Sequence, residues 1–298
     1  MNLAALLDDH RDDDVALISR GRSTTYGALR TQIDALRGGF ASLGVGDGDR
    51  IALLCSNSRH FVISYFAALG LGAVAVPLNP LSPSPELEAQ IDAVGAKVIV
   101  VEKLSAATWS NVERARVPSL ATVVSCGPSS EIADAVPLAD LLATAPVERA
   151  DVDTDHLAAL MFTSGTAGMP RAAMLTHGNL AANIEQSAST EDHVVAGDVV
   201  YTVLPLFHIF GLNVAMTMGL AAGATVLLVQ RFDPATAVET IAERNVTVLP
   251  GPLPEDELRM RFVGAECVAI LMVGRHLSKI RAVIDDLVRQ CHGLSDRL

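Results

Sequence analysis

The sequence has little positive charge and almost no lysine. Its 298 residues include 22 Lys and Arg against 34 Asp and Glu, which gives a formal net charge of −12. This excess of acid argues against a nucleic-acid-binding surface, which requires basic patches, and against electrostatic docking on anionic lipid. The only lysines are Lys97, Lys103 and Lys279, a scarcity that we attribute to a coding bias toward arginine. An anionic ligand would therefore depend on backbone N–H groups, on arginine or on a metal ion.

Cysteine is also scarce, and no leader sequence is recognisable. The four cysteines, Cys55, Cys126, Cys267 and Cys291, show no spacing typical of a metal site, a redox motif or a disulfide framework. They are expected to be buried or neutral thiols in a reducing cytosol. Residues 1–14 have no basic region ahead of their short apolar run, so no signal peptide is expected. These absences predict a cytoplasmic protein.

Two stretches without charge, residues 61–78 and 211–229, approach the length of a transmembrane helix. Each is interrupted near its middle by glycine and ends in small or β-branched residues typical of a buried strand. We therefore favour a helix, a glycine turn and a parallel strand in both stretches, and expect no stable membrane insertion. A membrane protein is the less favoured alternative.

Strands and helices are predicted to alternate along most of the chain. Residues 15–30 are predicted to form a hairpin that leads into a helix. The predicted strands are 50–55, 73–78, 97–102, 122–126, 157–163, 199–205, 225–229 and 246–250, and the predicted helices are 59–69, 84–94, 177–188, 209–220 and one opened by Asp233-Pro234. Ser84 is expected to cap its helix, with Pro85 at the first position. Such alternation predicts an α/β fold with parallel sheets flanked by helices on both faces.

We expect three parts along the chain. Residues 1–150 are predicted to form a first α/β subdomain, ending in a connection around a sheet edge from residue 128. Residues 151–251 are predicted to form a second α/β subdomain. Residues 252–298 are a divergent tail, with a strand-like run at 267–273 and an apolar helical stripe at 277–288 suited to core packing or docking.

A loop rich in Ser, Thr and Gly follows the apolar run LAALMF. Thr163, Ser164 and Thr166 offer hydroxyl donors. Gly165 and Gly168 let the backbone approach a ligand closely and turn its N–H groups inward. This composition is suited to binding a phosphate group, although an ordinary turn between a strand and a helix would have much the same composition.

Two residues after the loop add to this pattern. Arg171 places a planar guanidinium beside the loop, a shape that matches phosphate oxygens, and Thr176 is positioned to cap the helix at 177–188. Neither the G-x-x-x-x-G-K-S/T phosphate loop nor the G-x-G-x-x-G dinucleotide fingerprint is present.

The stretch FTSGTAGMPRAAMLTHGNL (162–180) resembles the signature of the adenylate-forming superfamily, which comprises acyl-CoA synthetases, nonribosomal peptide adenylation domains and luciferases. That signature reads Y/F-T-S-G-S/T-T/S-G-x-P-K-G, commonly followed by T-H. Residues 24–30, 69–80 and 204–212 resemble the family's T-Y-x-E-L, L-x-x-G-A-x-x-V-P-L-x-P and P-x-F-H-x-x-G segments in the same order. The resemblance covers residues 15–251 and implies the N-terminal domain of the adenylate-forming fold.

The resemblance implies a two-step ligase. ATP and a carboxylate would form an acyl-adenylate and pyrophosphate, and the thiol of coenzyme A would then displace AMP to give a thioester. Mg²⁺ would bridge the ATP phosphates. A fatty acid or another hydrophobic carboxylate is the expected substrate. The residues implied to contact the ATP phosphates are Thr163, Ser164, Gly165, Thr166, Gly168 and Arg171.

The same resemblance assigns the segment LFHIFG to the acyl pocket. His208 stands where the family has a histidine beside the reacting carboxylate, and it is the one catalytic candidate. Phe207, Phe210 and Gly211 would shape the pocket around the acyl group. The alternatives are a histidine with an ordinary structural role and simple core packing of the apolar residues.

The phosphate loop departs from the family pattern at three positions. Ala167 replaces a hydroxyl residue, Arg171 replaces lysine, and Ala172 replaces glycine. Loss of one hydrogen bond to a charged acceptor costs about 1.5–3 kcal/mol, so phosphate binding is expected to be weakened.

Several family segments are missing from the sequence. We find no G-Y-G-x-T-E segment, no T-G-D segment and no small C-terminal domain with its lysine, and PLPEDELRMRF (252–262) follows unusually soon after VLPG. An incomplete adenylate-forming fold, produced by deletion or frameshift, is therefore expected. The alternative to an active ligase is a non-catalytic remnant that retains nucleotide or acyl binding at most, or that pairs with a full-length paralogue.

Overall fold

The computed structural model describes residues 1–127, 132–162, 170–190, 193–231, 233–251 and 269–272. The strands are β1 (Val15–Ser19), β2 (Arg22–Thr25), β3 (Arg50–Leu54), β4 (Val74–Pro77), β5 (Val98–Val101), β6 (Thr122–Ser125), β7 (Val136–Pro137), β8 (Leu157–Phe162), β9 (Ala172–Thr176), β10 (Val199–Thr202), β11 (Thr225–Leu228), β12 (Val248–Gly251) and β13 (Ala269–Met272). The helices are α1 (Tyr26–Ser42), α2 (Arg59–Gly70), α3 (Ser84–Val94), α4 (Ala106–Trp109), α5 (Leu138–Leu141), α6 (His177–Ala188), α7 (Met218–Ala221) and α8 (Pro234–Glu243), with a π-helix at Phe210–Thr217 and short 3₁₀ helices at Leu3–Leu7, Lys103–Ser105 and Arg114–Arg116.

Two mostly parallel sheets organise these elements. The seven-stranded sheet has the order β7-β6-β5-β3-β4-β8-β9, and only its β8–β9 pair is antiparallel. The six-stranded sheet has the order β13-β12-β10-β11-β1-β2, with antiparallel pairs at both edges. The predicted α/β fold with helix-flanked parallel sheets is therefore confirmed.

The boundary predicted at residue 150 does not separate the two sheets. Strands β1 and β2, from the first predicted part, lie in the six-stranded sheet, where Leu17 pairs with Val226 of β11. Strands β8 and β9, from the second part, complete the seven-stranded sheet, where Ala159 pairs with Ala75 of β4. Hydrophobic periodicity locates each strand but does not say which strand it pairs with, and this is why the sheets combine strands from both parts.

Helix α2 lies in the main core with every residue from Phe61 to Gly70 buried. Its core cluster includes residues of both sheets, among them Leu17 of β1 and Ile51 of β3. A helix that is apolar all round is a buried helix, so the uncharged stretch at 61–78 is explained by α2 and the buried strand β4.

Glycine turns separate helix from strand in both uncharged stretches. Gly72 has φ of +77° between α2 and β4, and Gly223 has φ of +76° between α7 and β11. Glycine adopts this left-handed conformation without the steric cost that a Cβ brings. Within the described residues, no helix combines the length and the hydrophobicity that crossing a membrane requires.

Three local predictions need correction. Helix α3 begins at Ser84 itself, its N-cap is Pro83, and no side chain caps it. The predicted helix at 209–220 is a π-helix followed by the short α7. Strand β9 was not predicted, because it is a half-exposed edge strand, with Met174 69% exposed, and so lacks a clear apolar alternation.

Other predicted features agree with the structure where it describes them. Strand β7 lies at the outer edge of the seven-stranded sheet, as expected for a connection around that edge, and β13 falls within the predicted strand at 267–273. Hydrogen bonding to the Cys126 thiol, together with burial, raises the pKa of Cys55 well above its usual value, so this thiol is neutral as expected. Cys267, Cys291 and the apolar stripe at 277–288 lie outside the described residues.

Candidate functional site

The predicted phosphate loop connects two antiparallel strands. Strand β8 ends at Phe162, which pairs directly with Ala172 at the start of β9. The segment between them contains Thr163, Ser164, Gly165, Thr166 and Gly168, and these five candidate residues lie outside the described residues. The structure therefore defines the two ends of the loop, and it shows that a strand follows the loop before helix α6 begins.

Arg171 stands at the far end of this loop, immediately before β9. Its side chain is exposed, and it has no hydrogen-bond or ion-pair partner among the described residues. An arginine without an acidic partner keeps all its guanidinium donors available for an anionic ligand.

Helix α6 begins with the predicted threonine cap. The Oγ1 atom of Thr176 accepts a hydrogen bond from the backbone N–H of Asn179 at 3.1 Å, and the Asn179 side chain accepts one from the N–H of Thr176, also at 3.1 Å. This reciprocal pair satisfies two backbone donors that a helix start otherwise leaves free. It fixes the direction in which the chain leaves β9.

His177, the first residue of α6, has a structural role. Its residue is 1% exposed, and its Nδ1 atom accepts a hydrogen bond from the N–H of Leu3 at 3.1 Å. Burial, followed by the nearby His156 and the chain's amino group, lowers the pKa of His177 to about 4. The imidazole is therefore neutral at pH 7 and fastens the N-terminal 3₁₀ helix to the start of α6.

The second candidate segment, around His208, is held by Asn57. The Asn57 side chain donates to the carbonyl oxygens of Thr202 at 3.1 Å and Leu204 at 2.9 Å, and accepts from the N–H of Leu206 at 2.9 Å. Asn57 is 5% exposed and follows β3, so it links the seven-stranded sheet to the turn after β10. No motif in the sequence indicates Asn57; the available signal is a lone amide three residues after a buried strand.

His208 lies at the surface end of this turn. Its residue is exposed, its ring centroid is 4.6 Å from that of Phe207, and its backbone N–H donates to the carbonyl of Pro205 at 3.1 Å. Although the residue is exposed, partial burial of its ring lowers the pKa of His208 below its usual value. A neutral imidazole is therefore the main form at pH 7, and it can both donate and accept a hydrogen bond.

Gly211 allows the π-helix to begin directly against the turn that precedes His208. A Cβ atom at Gly211 would lie 2.2 Å from the carbonyl oxygen of Pro205 and 2.9 Å from that of Leu204. Gly211 is buried, while Phe207 and Phe210 are half-buried and lie beside His208 in the chain. The predicted pocket residues thus divide into one glycine that packs inward and three side chains nearer the surface.

The π-helix also joins the two candidate segments. The Asn213 side chain donates to the carbonyl of Leu180 at 3.2 Å and to the side-chain oxygen of Asn183 at 2.9 Å, both on α6. Inside the π-helix, the Thr217 hydroxyl donates to the carbonyl of Leu212 at 2.8 Å. Single π-turns within helices are frequent at functional sites. The helix after the phosphate loop and the helix after His208 are therefore fixed against each other.

The profile of the AMP-binding enzyme family matches residues 6–272, which include both candidate segments. The chain belongs to the AMP-binding enzyme family. The resemblance to adenylate-forming enzymes is thereby confirmed.

Curated relatives of this AMP-binding protein are CoA ligases. The 4-coumarate–CoA ligase 1 of Narcissus pseudonarcissus is 31% identical over 284 residues, covering 93% of this chain and 50% of the relative. The 4-coumarate–CoA ligase 3 of Arabidopsis thaliana is 33% identical over 237 residues, covering 77% of this chain and 41% of the relative. This AMP-binding protein therefore spans about half the length of the curated relatives it matches.

Solved structures share the fold. ATP-bound MatB from Rhodopseudomonas palustris has a TM-score of 0.72 at 30% identity, over 83% of this chain and 48% of that one. The anthranilate CoA ligase AuaEII, crystallised with anthranoyl-AMP, has a TM-score of 0.78 at 22% identity, over 84% of this chain and 49% of that one. The expected adenylate-forming α/β fold is thus confirmed.

The described residues supply no recognisable set of protein ligands for Mg²⁺. Over the part of the chain that the structure describes, no three His, Cys, Asp or Glu side chains come together as a metal site. Mg²⁺ is therefore considered below only as a companion of the ATP phosphates.

Proposed function

We propose that this protein activates a small carboxylate with ATP and transfers the acyl group to coenzyme A. The first step would join the carboxylate to the α-phosphorus of ATP and release pyrophosphate; the second would exchange AMP for the CoA thiol. The observation that carries this proposal is the family match over residues 6–272, together with relatives named as CoA ligases. We also propose a cytoplasmic location.

In this proposal the loop after β8 binds the ATP phosphates, with Mg²⁺ entering alongside them. The proposed phosphate ligands are Thr163, Ser164, Gly165, Thr166, Gly168 and Arg171. Support comes from the exposed Arg171, which has no acidic partner among the described residues. Fixed positive donors would stabilise the charge that moves onto the departing pyrophosphate.

His208 is the proposed contact of the reacting carboxylate. Its lowered pKa favours a neutral ring, which would position the carboxylate by a hydrogen bond rather than by ion pairing. Phe207 and Phe210, half-buried on either side of it in the chain, are proposed to contact the apolar part of the substrate. Gly211 would keep this segment close to the Asn57-bound turn.

We propose a hydrophobic carboxylate as the substrate class, with fatty acids as one member of it. The relatives widen this class to aromatic acids, since their names include 4-coumarate and anthranilate ligases. A panel of substrates should therefore contain fatty acids of several lengths, 4-coumarate and anthranilate.

Incubation of the purified chain with ATP, Mg²⁺, hydroxylamine and this panel tests the proposal. We expect a hydroxamate and pyrophosphate from at least one acid, because hydroxylamine intercepts an acyl-adenylate. Absence of both products, with circular dichroism showing a folded chain, would reject activation by this chain.

A second candidate function is ligand binding without catalysis. It is favoured by the three departures of the loop from the family pattern, at Ala167, Arg171 and Ala172. Calorimetric titration with ATP separates the two functions: heat of binding without hydroxamate supports the second.

A further inference from the structure

A cleft of about 490 Å³ lies between the β1–β2 hairpin and the start of α2. We refer to it as the basic cleft. Among the described residues, neither Arg171 nor His208 lines it. Its main polar lining residues are Arg20, Arg22, Ser58, Arg59, His60 and Glu102.

The basic cleft is positively charged, whereas the protein as a whole is negatively charged. The chain carries a net charge of −12, yet among the described residues three guanidinium groups and only one carboxylate line this cleft. The Arg22 side chain has no hydrogen-bond or ion-pair partner in the described part of the chain, and the Arg59 side chain donates there only to the neutral side-chain oxygen of Gln32, at 3.0 Å. Two positive charges in the cleft therefore have no acidic partner among the described residues.

The carboxylate of Glu102, which lines the basic cleft, already has hydrogen-bond and ion-pair partners. Glu102 is 2% exposed and accepts hydrogen bonds from the N–H of Ser56 at 3.0 Å and its hydroxyl at 2.5 Å. It also forms an ion pair with Arg20 at 3.3 Å, and His60 lies 3.7 Å from it. Burial alone would raise the pKa of Glu102, but the nearby His60 and the hydrogen bonds from Ser56 hold this pKa below its usual value. Glu102 therefore forms its ion pair with Arg20. Arg22 and Arg59 have no carboxylate partner among the described residues.

Two further features of the basic cleft favour an anion. Helix α2, 12 residues long, begins at Arg59, so the partial positive charge of its N-terminus lies at the cleft. The hydroxyl residues Ser23 and Thr24 of β2 also line it. Hydroxyl donors and guanidinium forks together are the groups that bind phosphate oxygens in proteins.

We propose that the basic cleft is a binding site for a phosphate-bearing anion, with Arg22 and Arg59 as its ligands and Arg20 fixed beside them by Glu102. The volume of the cleft is within the range of small-molecule sites and holds a diphosphate with room to spare. The phosphate could come from free inorganic phosphate or pyrophosphate, or from a nucleotide. The described lining of the cleft contains none of the residues assigned above to the ligase activity.

Calorimetric titration of the whole chain with inorganic phosphate, pyrophosphate and ATP tests this site. We expect the chain to bind pyrophosphate, and we expect Arg22→Gln and Arg59→Gln each to weaken that binding by about tenfold or more, because each removes charge-assisted hydrogen bonds. Arg116→Gln is the matched control, since Arg116 is an exposed arginine already paired with Glu113 at 3.0 Å. It should leave binding unchanged.

Comparison with Arg171→Gln separates the basic cleft from the candidate phosphate loop. If Arg171→Gln abolishes pyrophosphate binding while Arg22→Gln and Arg59→Gln do not, the proposal is overturned. Absence of pyrophosphate binding by the folded wild-type chain also overturns it. If the two cleft variants weaken ATP by the same factor as pyrophosphate, the ligand is a nucleotide; if only the inorganic anions are weakened, the ligand is free phosphate or pyrophosphate. Melting curves of each variant control for folding.

Discussion

At the scale of single residues, Asn57 is the side chain on which the candidate carboxylate segment most depends. One buried amide satisfies two carbonyls and one N–H of the turn that leads to His208. Leaving such groups without partners costs about 1–3 kcal/mol each when they stay buried. We therefore expect Asn57→Ala to destabilise the protein by about 2–4 kcal/mol, measured by urea denaturation.

The same variant should change the surroundings of His208. Once the turn loosens, more water reaches the imidazole, so its lowered pKa should rise toward the usual value in an NMR titration. Asn111→Ala is the control, because the Asn111 side chain bonds only an exposed carbonyl of its own turn, at 3.0 Å. A His208 pKa that is the same in Asn57→Ala and wild type would contradict the assigned role.

The titration of His177 makes the stability of the folded protein depend on pH. Its pKa is about 4 in the folded protein and 6.5 without perturbation, so the unfolded chain binds the extra proton between these values. This contribution to stability is complete above about pH 6.5 and is lost as the pH falls toward 4. The full shift in the pKa of His177 corresponds to about 3 kcal/mol in the free energy of unfolding.

The substitution His177→Asn tests this dependence, because an amide oxygen can still accept from Leu3 but does not titrate. The free energy of unfolding should fall less between pH 6.5 and 4.5 in this variant than in wild type. His193→Gln removes a half-buried histidine whose ring contacts only the nearby carbonyl of Thr190, and it serves as the control. Equal slopes in His177→Asn and wild type would show that His177 is not the titrating group.

At the scale of elements, the junction between the turn after β10 and the π-helix depends on Gly211. A Cβ there would lie 2.2 Å from the carbonyl oxygen of Pro205, which is backbone and cannot rotate away. Gly211→Ala should therefore displace the His208 turn and lower the free energy of unfolding by about 1–3 kcal/mol, the usual range for overpacking. Differential scanning calorimetry measures this loss.

Gly46→Ala is the matched control for this prediction. A Cβ at Gly46 meets no atom within 4 Å, so that substitution should be close to neutral. Equal melting temperatures for Gly211→Ala and wild type would mean that the π-helix does not pack against the turn as the structure shows.

At the scale of the whole molecule, the sequence predicts elements much better than it predicts their partners. Short apolar runs located β3, β4, β5 and β6, and the threonine of the family signature located the start of α6. Strand pairing is a tertiary property: β1 joins β11, far away in the chain, and no local pattern indicates this. The domain boundary expected at residue 150 failed to separate the sheets for that reason.

The candidate site shows the same limit. Motif resemblance named His208 and Arg171 because their neighbours in the sequence are distinctive. It could not name Asn57, whose importance comes from three backbone groups 145 to 149 residues away. The sequence predicts an ordinary α-helix where the π-helix lies. Its apolar residues do not indicate whether each backbone N–H donates to the carbonyl four residues earlier, as in an α-helix, or five residues earlier, as in a π-helix.

Exchange of labelled pyrophosphate into ATP measures, on its own, the proposed formation of an acyl-adenylate by this AMP-binding protein. The account predicts exchange that depends on an added hydrophobic carboxylate, is reduced by about tenfold or more in Arg171→Gln, and is unchanged in Arg116→Gln. Folded wild-type protein that shows no carboxylate-dependent exchange with any acid of the panel would contradict it.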